Sequence, residues 1–217
     1  MSPTELASIA AIAIENDLWV VADEVYSELV FDGDHHSIAA LPGMLERTVT
    51  VGSVSKSHAM PGWRVGWSIA PAELVDHFRR LLLGMLYGVS GFTQEAAAAA
   101  IEHHGHDVDA MREIYRRRRD LAVEILQQAP DLPLLVPDAG MFVMADVRAH
   151  AERSIDFGCG LYNSTGVAVL DAGAFGPTGE GWVRISFTVG DDELAEGCRR
   201  IVRYIADRAA SAERRTA

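Results

Sequence analysis

Lys56 is the only lysine among the 19 basic residues of the chain. It lies in Gly52-Ser53-Val54-Ser55-Lys56-Ser57, a small hydroxylic loop that follows the apolar run Thr48-Val49-Thr50-Val51. A GC-rich codon bias explains why lysines are scarce, but not where the survivor sits. An amine that must shed a proton and attack a carbonyl cannot be replaced by arginine, whose guanidinium stays charged. Asp23 and Tyr26 follow a second apolar run, Leu18 to Ala22, and Arg64 opens a third, Arg64 to Ile69. Ligands of open α/β sheets bind beyond the carboxyl ends of the strands. Asp23 and Tyr26 fall past one such end, and Ser53 and Lys56 past another. Arg64 shares that edge if its strand runs antiparallel. A carboxylate, a phenol, a hydroxyl, an amine and a guanidinium in one crevice suit a phosphorylated, aromatic, electrophilic ligand.

The elements that would position these groups follow from pattern. Ser2, Pro3 and Glu5 form a helix start with a capping box, and Leu6, Ile9, Ala10 and Ala13 continue it as an apolar stripe. Leu18 to Ala22 reads as a strand of the kind buried on both faces of a parallel sheet. Helical patterns cover Pro71 to Leu86, an Ala-rich and buried Gln94 to His104, and Asp107 to Ala129. Strands are expected at Leu134–Val136, Met141–Asp146, Val167–Leu170 and Trp182–Phe187, with a closing helix from Asp191 to about Ala209. Helix and strand alternating argue α/β in the first part, and the second reads as a small α+β domain. The polar turn His103-His104-Gly105-His106 is the expected boundary, giving domains 1–104 and 105–217.

Composition removes several function classes. The net charge is −12 and the pI about 5.0, so the whole-molecule field disfavours nucleic acid. Two cysteines, Cys159 and Cys198, provide neither a disulfide framework nor a paired zinc site. No apolar run approaches membrane-spanning length, and the N-terminus lacks signal-peptide features, so a cytoplasmic location is expected. A phosphate-binding Walker loop needs Gly before the lysine and again six before it. Those positions hold Ser55 and Thr50. His35-His36 and His103 to His106 have no carboxylate or Cys partner at ligand spacing, so no metal is expected. Arg116 to Arg119 point all round a helix and read as a solvated or domain-bridging face. Gly173 to Gly176 and Gly179 to Gly181 lack the strand-then-helix setting of a dinucleotide loop.

Asp23-Glu24-Val25-Tyr26, Ser53-Val54-Ser55-Lys56 and Gly62-Trp63-Arg64-Val65-Gly66 together resemble the class I/II aminotransferases, fold-type-I enzymes that use pyridoxal 5′-phosphate (PLP). Trp182-Val183-Arg184-Ile185-Ser186 is similar to the family's carboxylate-binding arginine segment. The likeness covers nearly the whole chain. Ser55 to Met60, Gly62 to Trp67 and Met85 to Gly88 most resemble the arginine–pyruvate transaminases.

The resemblance implies a partial PLP-transferase large domain, with a mostly parallel sheet, followed by a small α+β C-terminal domain. It implies that Lys56 condenses with the PLP aldehyde and shuttles the substrate proton. Asp23 would pair with the pyridine nitrogen, and Tyr26 with the ring 3′-oxygen. Ser53 and Arg64 would hold the phosphate, Ser55 being a weaker candidate. Arg184 would clamp the substrate α-carboxylate, a planar fork on a planar group. Substrates would be an amino acid and a 2-oxo acid, in a homodimer with no nucleic-acid or membrane partner. The family's chains also begin well upstream of the segment that Met1 resembles, so an N-terminal portion of the site is expected to be absent. Two alternatives stay open: a non-catalytic interaction module, and C–S lyase chemistry on the same scaffold.

Overall fold

The computed structural model describes residues 1–103 and 105–216. His104, one of the turn histidines and the expected last residue of the first domain, lies outside them. The chain forms two compact units, Met1–Arg112 and Glu113–Ala217, divided within a long helix.

The first unit opens with α1 (Pro3–Glu15). The Ser2 hydroxyl accepts from the Glu5 N–H at 3.3 Å, and the Glu5 carboxylate accepts from the Ser2 N–H at 2.7 Å, a reciprocal cap. Leu6, Ala10 and Ala13 of α1 pack on Ile38 and Met44, with Val20, Ala22 and Leu41 against them. Then come β1 (Val20–Asp23), β2 (Thr48–Ser53), α2 (Val54–Ser57) and β3 (Gly66–Ile69). The sheet order is β1-β2-β3, with β1 and β2 parallel and β2 and β3 antiparallel. Helices α3 (Ala72–Leu86) and α4 (Gly91–Glu102) follow, then α5 (His106–Leu126).

Two expectations for this unit fail. β1 is buried on one face only. Val20 and Ala22 meet the α1 cluster, whereas Val21 is 72% exposed. A continuously apolar run cannot by itself say how many faces are covered. In α4 only Ala97 is buried, because alanine's helix propensity needs no packing to express itself.

The second unit holds most of α5, then β4 (Leu134–Leu135), β5 (Phe142–Asp146), α6 (Ser154–Thr165), β6 (Leu170–Asp171), β7 (Trp182–Ser186) and α7 (Asp191–Thr216). The sheet is wholly antiparallel, in the order β4-β5-β7-β6. Val143 and Ala145 of β5 and Val183 and Ile185 of β7 face the core, as do Phe157 and Leu161 of α6 and Ile201 and Ile205 of α7. Each large aliphatic or aromatic side chain so buried contributes about 1.5–3 kcal/mol. The helix α6 was not legible in sequence, because Gly158 and Gly160 depress its propensity. Gly160 is there for space: a Cβ on it would lie 2.4 Å from the Tyr204 hydroxyl oxygen. α7 runs past the expected Ala209 to Thr216, as an Ala-, Glu- and Arg-rich tail permits.

The Arg116–Arg119 run is absorbed by acids within its own unit. Arg116 pairs with Glu113, Arg117 and Arg118 both reach Asp191 at the start of α7, and Arg119 bonds Asp120 and the Pro137 carbonyl. The Arg118 and Arg117 hydrogen bonds hold the Asp191 carboxyl below its ordinary range. The largely buried Asp146 is held down by Arg148, whose Nε lies 2.9 and 3.0 Å from its two oxygens. Carboxyls with depressed folded-state pKa values contribute stability above the unfolded-state value of about 3.9, and lose it as pH falls through the folded value. The second unit is therefore expected to keep its stability from neutrality down to about pH 4 and to lose it below. Urea midpoints measured across that range by circular dichroism check this. Asp146→Asn should flatten the acid limb.

Candidate functional site

The antiparallel pairing of β3 decides the geometry of the first unit. Ser53, the last residue of β2, is opposite Gly66, the first of β3, and Asp23 ends β1 opposite Val51. The carboxyl ends of β1 and β2 and the start of β3 therefore lie on one sheet edge. Asp23, Ser53, Ser55, Lys56 and Arg64 all occur at that edge or in the segments leaving it. Tyr26 is half-buried in the turn that follows β1, where its carbonyl accepts from the Leu29 N–H at 2.9 Å.

Local chemistry shapes each group. The Ser53 hydroxyl caps α2, accepting from the Ser55 N–H at 3.0 Å. Its own proton has two local acceptors, the Ser55 hydroxyl at 2.9 Å and the Val65 carbonyl at 3.0 Å. The bond to Val65 ties the β2 end to the segment carrying Arg64. Ser57 bonds back to the Ser53 carbonyl at 3.2 Å, closing the turn around half-buried Lys56. Arg64 has φ 55° and ψ 46°, a left-handed conformation for a non-glycine residue. Such strain costs about 1–3 kcal/mol and clusters at functional sites. Its guanidinium is exposed, donates to the Pro61 carbonyl at 2.8 Å, and pairs with no carboxylate among the described residues. Lys56 likewise has no acidic partner among them.

Gly52 is required by packing. A Cβ there would sit 2.5 Å from the Trp67 indole nitrogen. Gly52→Ala is expected to displace Trp67 and destabilise the unit by about 1–3 kcal/mol, the usual cost of overpacking. A lowered urea midpoint with an unchanged m-value is the check.

Arg184 belongs to the second unit. It occupies the middle of β7 between Val183 and Ile185, which face the core, so its side chain lies on the opposite face. It pairs with Met144 on β5 and Leu170 on β6. The guanidinium carbon is 4.0 Å from the Phe142 ring centre and 5.2 Å from that of Phe175. Neither aromatic was legible as a site residue in the sequence. Phe142 joins the site only through the β5–β7 register, and Phe175 only through a folded loop.

Among the described residues no three His, Cys, Asp or Glu side chains converge as metal ligands. His35 pairs with Glu24 at 3.1 Å, and His103 bonds its own helix. No described helix is long and apolar enough to cross a membrane.

The first unit thus carries a single amine at a strand edge, and the second an arginine fork against two rings. The chain belongs to the aminotransferase class I and II family, whose model matches residues 1–201. That family is PLP-dependent. The chain is 50% identical over 194 residues to an arginine–pyruvate transaminase of Pseudomonas aeruginosa, covering 89% of this chain and 49% of that protein. It is 35% identical over 207 residues to an aspartate aminotransferase of Pyrococcus abyssi, covering 94% of this chain and 53% of that one. The crystal structure of an aromatic aminotransferase from Pyrococcus horikoshii superposes with a TM-score of 0.93 at 34% identity, over 96% of this chain and 57% of that one. The chain thus spans about half the length of the curated relatives it matches.

Proposed function

We propose that this chain carries the lysine, ring-binding and carboxylate-binding residues of a PLP-dependent aminotransferase, and that the whole protein moves an amino group from an L-amino acid to a 2-oxo acid. The observation that carries the reading is the β2–β3 register, which gathers Asp23, Ser53, Ser55, Lys56 and Arg64 at one edge. The donor set fits the cofactor. One carboxylate matches a pyridine nitrogen, one amine matches an aldehyde, and a hydroxyl and a guanidinium with no carboxylate partner among the described residues match a phosphate dianion.

When bound, PLP supplies an electron sink conjugated to the substrate Cα. Asp23 would hold a proton at the ring nitrogen by accepting its hydrogen bond. Tyr26 would donate to the ring 3′-oxygen. The Ser53 and Ser55 hydroxyls, 2.9 Å apart, and Arg64 would hold the phosphate. The Ser53 hydroxyl also lies 3.0 Å from the Val65 carbonyl, beside Arg64, which ties the two phosphate-binding segments together. Lys56 Nζ would take the proton from Cα and deliver it to C4′, as general base and then general acid. Arg184 would accept the α-carboxylate in paired charge-assisted hydrogen bonds.

The donor and acceptor we favour are arginine and pyruvate, on the strength of the 50% identity to the Pseudomonas enzyme. A homodimer in a cytoplasmic setting completes the reading. Two free cysteines support a reducing compartment, and α3, which buries none of its residues while exposing Leu81, Leu83, Met85 and Leu86, supports a partner surface. The test is a panel of amino donors against pyruvate and 2-oxoglutarate, run on the whole protein. Turnover with arginine and pyruvate supports the full reading. Keto-acid release without amino transfer supports elimination chemistry instead, and no turnover with any donor defeats the enzyme reading.

A further inference from the structure

The segment from α6 to β7 contains a polar cluster built around one buried serine, and none of its residues is assigned to substrate or cofactor. Ser154, the first residue of α6, is fully buried. Its hydroxyl lies 2.7 Å from Asp171 Oδ1 and 2.9 Å from Glu180 Oε1, and accepts from the Gly181 N–H at 3.1 Å. The Ser154 N–H donates to the same Glu180 oxygen at 3.0 Å. Arg153 makes no side-chain cap, so Glu180 caps α6 from 26 residues further along the chain. The Ser154 N–H, then its hydroxyl, hold the Glu180 carboxyl below its ordinary range.

The cluster clamps both ends of one connection. Asp171, at the end of β6, also accepts from the Gly173 N–H at 3.0 Å and so caps the 3-10 turn Ala172–Phe175. Glu180 and Gly181 close the following turn, Pro177–Gly179, and lead directly into β7. The connection is folded tightly on itself. A Cβ on Gly173 would lie 2.7 Å from Glu180 Oε2, and one on Gly179 would lie 2.1 Å from the Ala172 carbonyl oxygen. At the tip of the first turn is Phe175. It is 68% exposed, so no core packing fixes it, and its ring lies 5.2 Å from the Arg184 guanidinium carbon.

We propose that Ser154, Asp171 and Glu180 are positioning residues for Arg184: by pinning the 171–181 connection at both ends they hold Phe175 on the guanidinium and fix the direction of its fork. Phe142, on a strand, stays in place without help. Phe175, on a turn, does not. An arginine held against two ring faces presents its N–H edge outward, the edge that a planar carboxylate needs. The role in substrate binding rests on the reading of Arg184 as the carboxylate residue. The positioning itself does not.

The experiment uses the chain with Arg side chains labelled and follows the Arg184 Nε–H resonance, which is assigned by Arg184→Lys. Rings stacked on the guanidinium shift this signal upfield. Phe175→Leu should remove part of the shift. Ser154→Ala should remove a similar part although it touches neither Arg184 nor Phe175. Glu180→Ala, at an exposed site where truncation leaves no core cavity, gives the same readout if Ser154→Ala does not fold. Pyruvate titration of the same signal should be weakened in each variant. An Arg184 signal that moves in Phe175→Leu but not in Ser154→Ala or Glu180→Ala overturns the cluster's role. A signal unmoved by Phe175→Leu overturns the stacking. If all the signals move as stated but pyruvate shifts none of them, wild type included, the positioning stands and the carboxylate reading of Arg184 fails.

Discussion

Lys56→Ala is expected to abolish the borohydride-reducible adduct that the chain forms with PLP. The argument is one of inventory. Lys56 is the only lysine, and the other basic side chains are guanidiniums, which do not deprotonate to attack an aldehyde, or imidazoles. Apart from the α-amino group of Met1, no other amine can give a stable secondary amine after reduction. Intact-mass measurement after borohydride, with peptide mapping, reads the result directly. An adduct that persists away from the N-terminus would remove Lys56 from the site. In the whole protein the same substitution takes away the proposed proton carrier as well. Loss of a positioned general acid–base alone costs about 10²–10⁴ in rate, so turnover should fall by at least that much. An external amine such as methylamine should restore part of the proton transfer but not the adduct to the chain.

Arg184→Ala is expected to have the second largest effect, and to act on substrate rather than on cofactor. Truncating one partner of a buried, hydrogen-bonded charge pair costs about 2–5 kcal/mol, which is about 30- to 4,000-fold in kcat/KM at 1.4 kcal/mol per decade. PLP uptake, followed by its absorbance, should be unaffected, because Arg184 lies in the second unit whereas the residues proposed for the ring and phosphate lie in the first. Arg184→Lys keeps the charge but loses the fork and the planar contact with Phe142 and Phe175. It should recover only a small part of the loss. Recovery to wild-type kcat/KM would mean that charge alone is used and that the two rings have no orienting role.

The two substitutions separate the parts of the site because the folding logic that places each is different. Lys56 is held by a local motif, in which Ser53 caps α2 and Ser57 bonds back to the same residue's carbonyl within four positions. Arg184 is held by long-range register, opposite Met144 of β5 and Leu170 of β6. Local motifs leave a trace in a sequence, whereas register does not.

That difference also accounts for what could be read in advance. The capping box of α1 was legible because both partners lie within one turn. The convergence of Asp23, Ser53, Lys56 and Arg64 was legible only conditionally, since it required β3 to be antiparallel, and the Ser53–Gly66 pairing meets that condition. The β1 run could not show that Val21 is exposed, nor α4 that its alanines lie largely at the surface, because burial depends on what packs opposite. The helix α6 was hidden by its glycines. Gly160 answers to Tyr204, which is 44 positions away in the chain.

Residue chemistry over short spans is determined by the sequence itself: a single amine in a hydroxylic turn, a carboxylate and a phenol after a strand, an arginine ahead of another. Backbone capping and strand ends depend on near neighbours, and so they survive in one dimension. The tertiary structure alone decided the rest. It gave Arg184 its two aromatic neighbours, joined Ser154 to Asp171 and Glu180, and made glycine obligatory beside Trp67, because side chains distant in the chain meet only when strands pair and loops close.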